Sequence, residues 1–123
     1  MNVRKVVSEL KKKYPNKTIV LNPPENPTEI ICEIEPAKNN EEDGIAIAII
    51  DDSKPHYHKK ATEFYEILRG DLIITLGKRK YKLKKGDKFI IKPGEIHSAK
   101  GNETWVSCLS KPGWRPEDHI LVK

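Results

Sequence analysis

Only two cysteines occur in the 123 residues, Cys32 and Cys108, and they form no C-x-x-C pair. That excludes a disulfide framework and a cysteine-held zinc. Both lie in apolar, strand-like stretches and read as reduced core residues behaving as small hydrophobes, with a single bridge between them as the alternative. No apolar run approaches the roughly 18 residues that a bilayer crossing needs. The longest, Gly44 to Ile50, has the length of a strand. Near the start, Val3, Val6, Val7 and Leu10 are interrupted by Arg4, Lys5, Ser8 and Glu9, so a secretory pattern is missing too. A cytoplasmic location without membrane contact is the expectation. Internal repeats and low-complexity tracts are also lacking.

What the chain does have is charge and isoleucine. With 37% hydrophobic and 33% charged residues it can enclose one core, and residues 1–123 are expected to form one domain. The net charge of +5 is largely lysine. Lys78, Lys80, Lys82 and Lys84 alternate, and since side chains reverse at every strand residue they share one face. No aromatic platform is interleaved with them, so this reads as a solvated outer face, and no nucleic-acid partner is expected.

Apolar positions from Asn2 to about Tyr14 follow helical spacing until Pro15 ends the pattern. The residues after it read as strands: Thr18 to Leu21, Glu29 to Glu35, Ile45 to Ile50, Glu63 to Leu68, Leu72 to Leu76, Lys80 to Leu83, Lys88 to Ile91, Thr104 to Ser110 and Ile120 to Val122. Glu29 to Glu35 is apolar on one face only and is expected to be half exposed. Ile45 to Ile50 is apolar on both faces and is expected to be central. Pro36 to Gly44 reads as an acidic surface connection. Arg69-Gly70-Asp71, Gly77-Lys78 and Lys85-Gly86-Asp87 read as turns. Many short strands with one short N-terminal helix predict an all-β closed barrel or double-sheet jelly roll.

Chemistry concentrates in four residues. His56 and His58 are two apart, so on a strand both imidazoles point to one side. Glu63 follows a short connector, and His97 follows the Pro93-Gly94 turn. Three imidazoles and a carboxylate suit one divalent first-row ion: manganese, iron, nickel, cobalt or zinc. An octahedral ion would keep two positions free for substrate or water, whereas tetrahedral zinc would close the site. Tyr65 shares strand parity with Glu63 and is a candidate to orient a substrate or relay a proton, with a wall aromatic as the plainer reading. Trp105 and Trp114 read as packing residues, Trp114 with the option of covering the barrel mouth or a partner surface. His119, in Arg115-Pro116-Glu117-Asp118-His119, reads as a surface or hydrogen-bonded turn residue outside the metal set.

His56, His58, Glu63 and Gly70 reproduce the spacing of the first cupin motif, and Gly86, Gly94 and His97 match the second, so the chain resembles the cupin family between Pro55 and Gly101. It departs from the pattern at three places. Ile50 or Asp51 stands where a glycine often opens the first motif, Pro93 stands one place after the usual proline, and Gly101 replaces a closing asparagine. The resemblance implies a double-stranded β-helix (jelly-roll) barrel with a metal inside, a small-molecule ligand or substrate, and a homodimer. The activity it implies is sugar or sugar-phosphate isomerisation or epimerisation. An Fe(II)-dependent dioxygenase is the rival enzyme, and a non-catalytic binding or sensing module is the alternative from another class.

Overall fold

The computed structural model describes residues 1–36 and 42–122. Residues 37–41, most of the expected acidic connection, lie outside the described residues. Helix α1 (Val3–Lys13) is one residue shorter at each end than the spacing suggests, because Asn2 and Tyr14 serve as its caps. Asn2 Oδ1 accepts from the Lys5 N–H at 3.2 Å, satisfying one of the first-turn donors that a helix leaves unpaired. Lys11, Lys12 and Lys13 occupy the last turn, at the negative end of the helix dipole.

Nine strands follow among the described residues: β1 (Thr18–Asn22), β2 (Glu29–Glu35), β3 (Gly44–His58), β4 (Thr62–Arg69), β5 (Asp71–Leu76), β6 (Arg79–Lys84), β7 (Lys88–Ile91), β8 (His97–Lys111) and β9 (His119–Leu121). Their order is β1-β2-β3-β8-β4-β7, with β5 joining β8 to β6 and β9 lying on β3. Antiparallel pairing throughout makes the jelly-roll barrel expected from the strand pattern. The segment read as central is indeed inside the sheet, since β3 pairs with β2 and β8.

Two strands are far longer than their apolar runs. β3 continues through the polar Asp51 to Lys54 to carry His56 and His58, and β8 starts at His97 rather than Thr104. Register shifts between Ile50 and Asp52 and between Ser53 and His56 let the pair bend without ending the ladder, so polarity here marks curvature and not a loop. The bend is tight at Gly101, where an added Cβ would lie 2.8 Å from the Ile50 carbonyl oxygen and 2.5 Å from Thr104 Oγ1. No side chain fits there.

The sheet has two buried faces. On the outer one, Ile30, Cys32, Ile49 and Trp105 pack against Val6 and Leu10 of α1. On the inner one, Ile50, Ile67, Leu72, Ile74 and Val106 fill the closed part of the barrel. The polar face of β2 is partly exposed, as expected, but it looks into the barrel cavity, which Glu29, Ile31 and Glu33 line. A period of two separates the faces of a strand, yet it does not say whether the polar face meets water outside the barrel or within it.

Candidate metal centre

Strand pairing brings the expected residues together. His56 stands opposite His97 in the β3–β8 ladder, and Glu63 enters from β4, which pairs with the far end of β8. One ligand atom from each of His56, His58, Glu63 and His97 lies within 4.8 Å of the other three, and all four side chains are buried.

Local hydrogen bonds aim these atoms. Nδ1 of His56 contacts the Lys54 carbonyl oxygen at 2.7 Å, Nδ1 of His97 the Glu95 oxygen at 2.9 Å, and Nδ1 of His58 the Asp118 oxygen at 3.2 Å. A carbonyl oxygen only accepts, so each Nδ1 carries the proton and each Nε2 turns a lone pair inward. The Pro93-Gly94 turn contributes to this aim, with Gly94 at φ +82° and its N–H donating to the His58 carbonyl at 2.7 Å.

Glu63 Oε2 accepts from Cys108 Sγ at 3.4 Å, leaving Oε1 to the cluster. Oε1 lies 3.1 Å from His58 Nε2 and 3.4 Å from His97 Nε2, yet none of these three buried atoms has a hydrogen-bond partner. Lone pairs facing a carboxylate at that range repel, and such orphaned buried groups are costly. A cation among them removes the conflict, and nitrogen and oxygen donors in this ratio fit a divalent metal ion.

The electrostatics agree. Burial, followed by the charge of His97, holds His56 down to about 3, so its imidazole stays neutral. For His58 burial pulls the other way, but the Glu63 carboxylate and the Asp118 carbonyl outweigh it and raise the ring's affinity for a proton. Burial likewise opposes ionisation of Glu63, and His58 and His97 overcome it, keeping the carboxylate ionised. The cluster attracts positive charge.

Asp118 had no role in the sequence reading. Its Oδ1 accepts from the backbone N–H groups of Lys59 and Lys60 at 3.0 Å each, and its Oδ2 from that of Ala61 at 3.1 Å. It therefore clamps the connector between His58 and Glu63 while its carbonyl holds the His58 ring. A carboxylate so placed serves three backbone donors at once.

His119 also departs from expectation. It lies in β9 opposite His58, its ring stacks on His56 at 4.1 Å between centroids, and it lines the cavity. It remains outside the four-atom cluster. Trp105 packs in the outer core as expected, under the Arg69 guanidinium at 4.2 Å. Trp114 is 48% exposed at the cavity wall, where its Nε1–H donates to His119 Nδ1 at 3.2 Å, so packing is the wrong reading for it. Of the cysteines, both free thiols, Cys32 is core but Cys108 lines the cavity. Tyr65 shares the cavity wall with Glu63, and burial and then the Glu63 charge raise its phenol well above the ordinary value. Glu29, missed in the sequence, has its carboxyl pushed up to about 7 by burial and then by Glu63. Its parity with Ile31 was the available signal.

A family model described as "Cupin domain" matches residues 48–108. No curated protein matches. Among solved structures, KdgF from a Halomonas species is 19% identical with a TM-score of 0.64, the match covering 76% of this chain and 86% of that one. A protein from Planctomyces limnophilus is 20% identical with a TM-score of 0.73, covering 88% and 92%. A nucleoside dehydratase from Streptomyces, whose structure has been determined with uridine, is 9% identical with a TM-score of 0.74, covering 89% and 88%. At these identities the likeness is one of fold. Among the described residues, no helix is long and apolar enough to cross a membrane.

Proposed function

Because the chain belongs to the cupin superfamily, we propose that His56, His58, Glu63 and His97 hold one divalent metal ion in an enzyme acting on a small polar metabolite. The reaction class we assign is isomerisation or epimerisation of a sugar or sugar phosphate. The observation that carries this reading is the trio of orphaned ligand atoms beside a cavity of about 330 Å³, a volume suited to a small molecule. The bound metal would supply polarisation of a substrate oxygen.

The chain's own residues supply the rest. Isomerisation moves a proton between neighbouring carbons, which needs a group able to take and return it near neutral pH. Glu29, at about 7, meets that requirement. Tyr65 stays protonated at neutral pH, so its phenol acts as a hydrogen-bond donor that orients a substrate and not as a base. Ala48, Ile50 and Val106 give the cavity an apolar wall that limits water. A homodimer, implied by the resemblance, and a cytoplasmic location, expected from the missing secretory pattern, belong to the same proposal.

Elemental analysis of the purified protein should find one divalent metal per chain, and a panel of aldoses, ketoses and their phosphates should reveal interconversion. His58→Ala should abolish both while the far-ultraviolet circular dichroism is kept. No metal uptake after loading overturns the metal centre, and turnover unchanged in His58→Ala overturns the metal-dependent mechanism.

A further inference from the structure

Arg115 lines the same cavity as His56, His58 and Glu63, and its Nε and Nη2 are closed off from solvent with no hydrogen-bond partner among the described residues. A guanidinium carries a positive charge and five N–H donors but no acceptor, so it calls for oxygen partners. Nε–H and Nη2–H form one edge of the fork, two parallel donors whose spacing matches two oxygens of a carboxylate or a phosphate. That edge is the one left without a partner.

Its position relates it to the cluster. The Asp118 N–H donates to the Arg115 carbonyl at 3.1 Å, and the Asp118 carbonyl in turn holds His58. Arg115 thus stands one tight turn from a residue that orients a cluster histidine. Among the described lining residues it is the single lysine or arginine, whereas Glu29, Glu33 and Glu35 of β2 share the cavity. No ion pair joins Arg115 to a carboxylate among the described residues. The β2 carboxylates repel an acid group from their part of the cavity, which leaves the Arg115 edge as its place.

We propose that Arg115 is an oxyanion subsite, so that the protein takes a small polar molecule bearing a carboxylate or phosphate, with its remaining oxygens directed to the His56, His58, Glu63 and His97 cluster. This rests on reading the cavity as a substrate site and adds the class of substrate.

The test is calorimetric titration of wild type and Arg115→Gln, metal-loaded and metal-free, with three matched probes: glycerol, glycerate and glycerol phosphate. Wild type should bind at least one acid roughly 10-fold or more tighter than glycerol, as charged hydrogen bonds require. Arg115→Gln should lose that preference and still take up metal. Preference for glycerate identifies a carboxylate, and preference for glycerol phosphate identifies a phosphate; either supports the subsite. Absence of acid binding by wild type, or a preference that survives in Arg115→Gln, overturns it. Thermal melts give a second reading. An unpaired guanidinium adds no stability, so ligand-free Arg115→Gln should melt at or above the wild-type temperature, and a melt far below it would mark a structural residue and overturn the proposal. Failure of wild type to take up metal sinks the metal centre alone, because the metal-free titrations still decide the Arg115 subsite.

Discussion

On one face of β2, β3 and β8 the side chains of Ile30, Cys32, Ile49 and Trp105 meet α1, and on the other Glu29, His56 and Cys108 meet the cavity. The two cysteines and the two tryptophans each divide between these settings. Cys32 and Trp105 are buried among hydrocarbon, while Cys108 donates to Glu63 and Trp114 to His119. Among the described residues the buried cluster of the helix face is apolar, whereas the unpartnered polar atoms belong to the metal cluster, His58 Nε2, Glu63 Oε1 and His97 Nε2, or to Arg115 at the cavity. A face with nothing left to pair contributes stability. A face with orphaned donors and acceptors gives up stability for the ability to bind.

This contrast breaks if substitutions on the helix face alter metal binding, or if those on the cavity face chiefly cost stability. The largest effect should come from Leu10→Ala, which opens a cavity at a fully buried position under the sheet. It should cost about 2–5 kcal/mol in urea unfolding, with metal content per folded chain unchanged. Next is Asp118→Ala, which frees the Lys59 to Ala61 connector while leaving all four cluster residues in place. Metal affinity, measured by competition with a chromophoric chelator, should fall about 10- to 100-fold, the range seen when partners behind metal ligands are removed. An unchanged affinity would show that the connector holds its shape without the clamp.

The smallest effect should be Glu29→Gln in metal-free protein. Burial and then the Glu63 charge push the folded carboxyl up to about 7 from an ordinary value of 4.5, so the folded state binds the extra proton between those values. Its stability is therefore greatest below the lower value and declines as pH rises through the upper one. Glu29→Gln removes that decline. The variant should be more stable than wild type by about 1–3 kcal/mol at pH 8 and no more stable at pH 4, as read from paired denaturation curves. A difference independent of pH would mean that the carboxyl is not held protonated by its surroundings.

Much of the cavity face was legible residue by residue. The two-residue spacing of His56 and His58 and the turn before His97 predict a convergent ligand set, and Tyr65 shares the cavity wall because it shares parity with Glu63. Strand ends were less legible, since β3 and β8 run on through polar residues where register shifts interrupt the ladder. The C-terminal stretch was nearly opaque. Trp114, Arg115, Asp118 and His119 look like an ordinary polar turn until β9 pairs with β3, which places Asp118 on the His58 connector and the other three at the cavity.

The sequence by itself determined which side chains share a face and which of them are chemically suited to a divalent ion, because strand parity and donor type are local properties of the chain. Only the tertiary structure decided that the polar face of β2 is a cavity wall, that the Asp118 carbonyl, 60 positions from His58, turns that ring toward Glu63, and that Arg115 is left with an edge without a partner. Those outcomes depend on closure of the barrel, which brings distant backbone into contact, and no local period encodes which distant carbonyl will meet which ring.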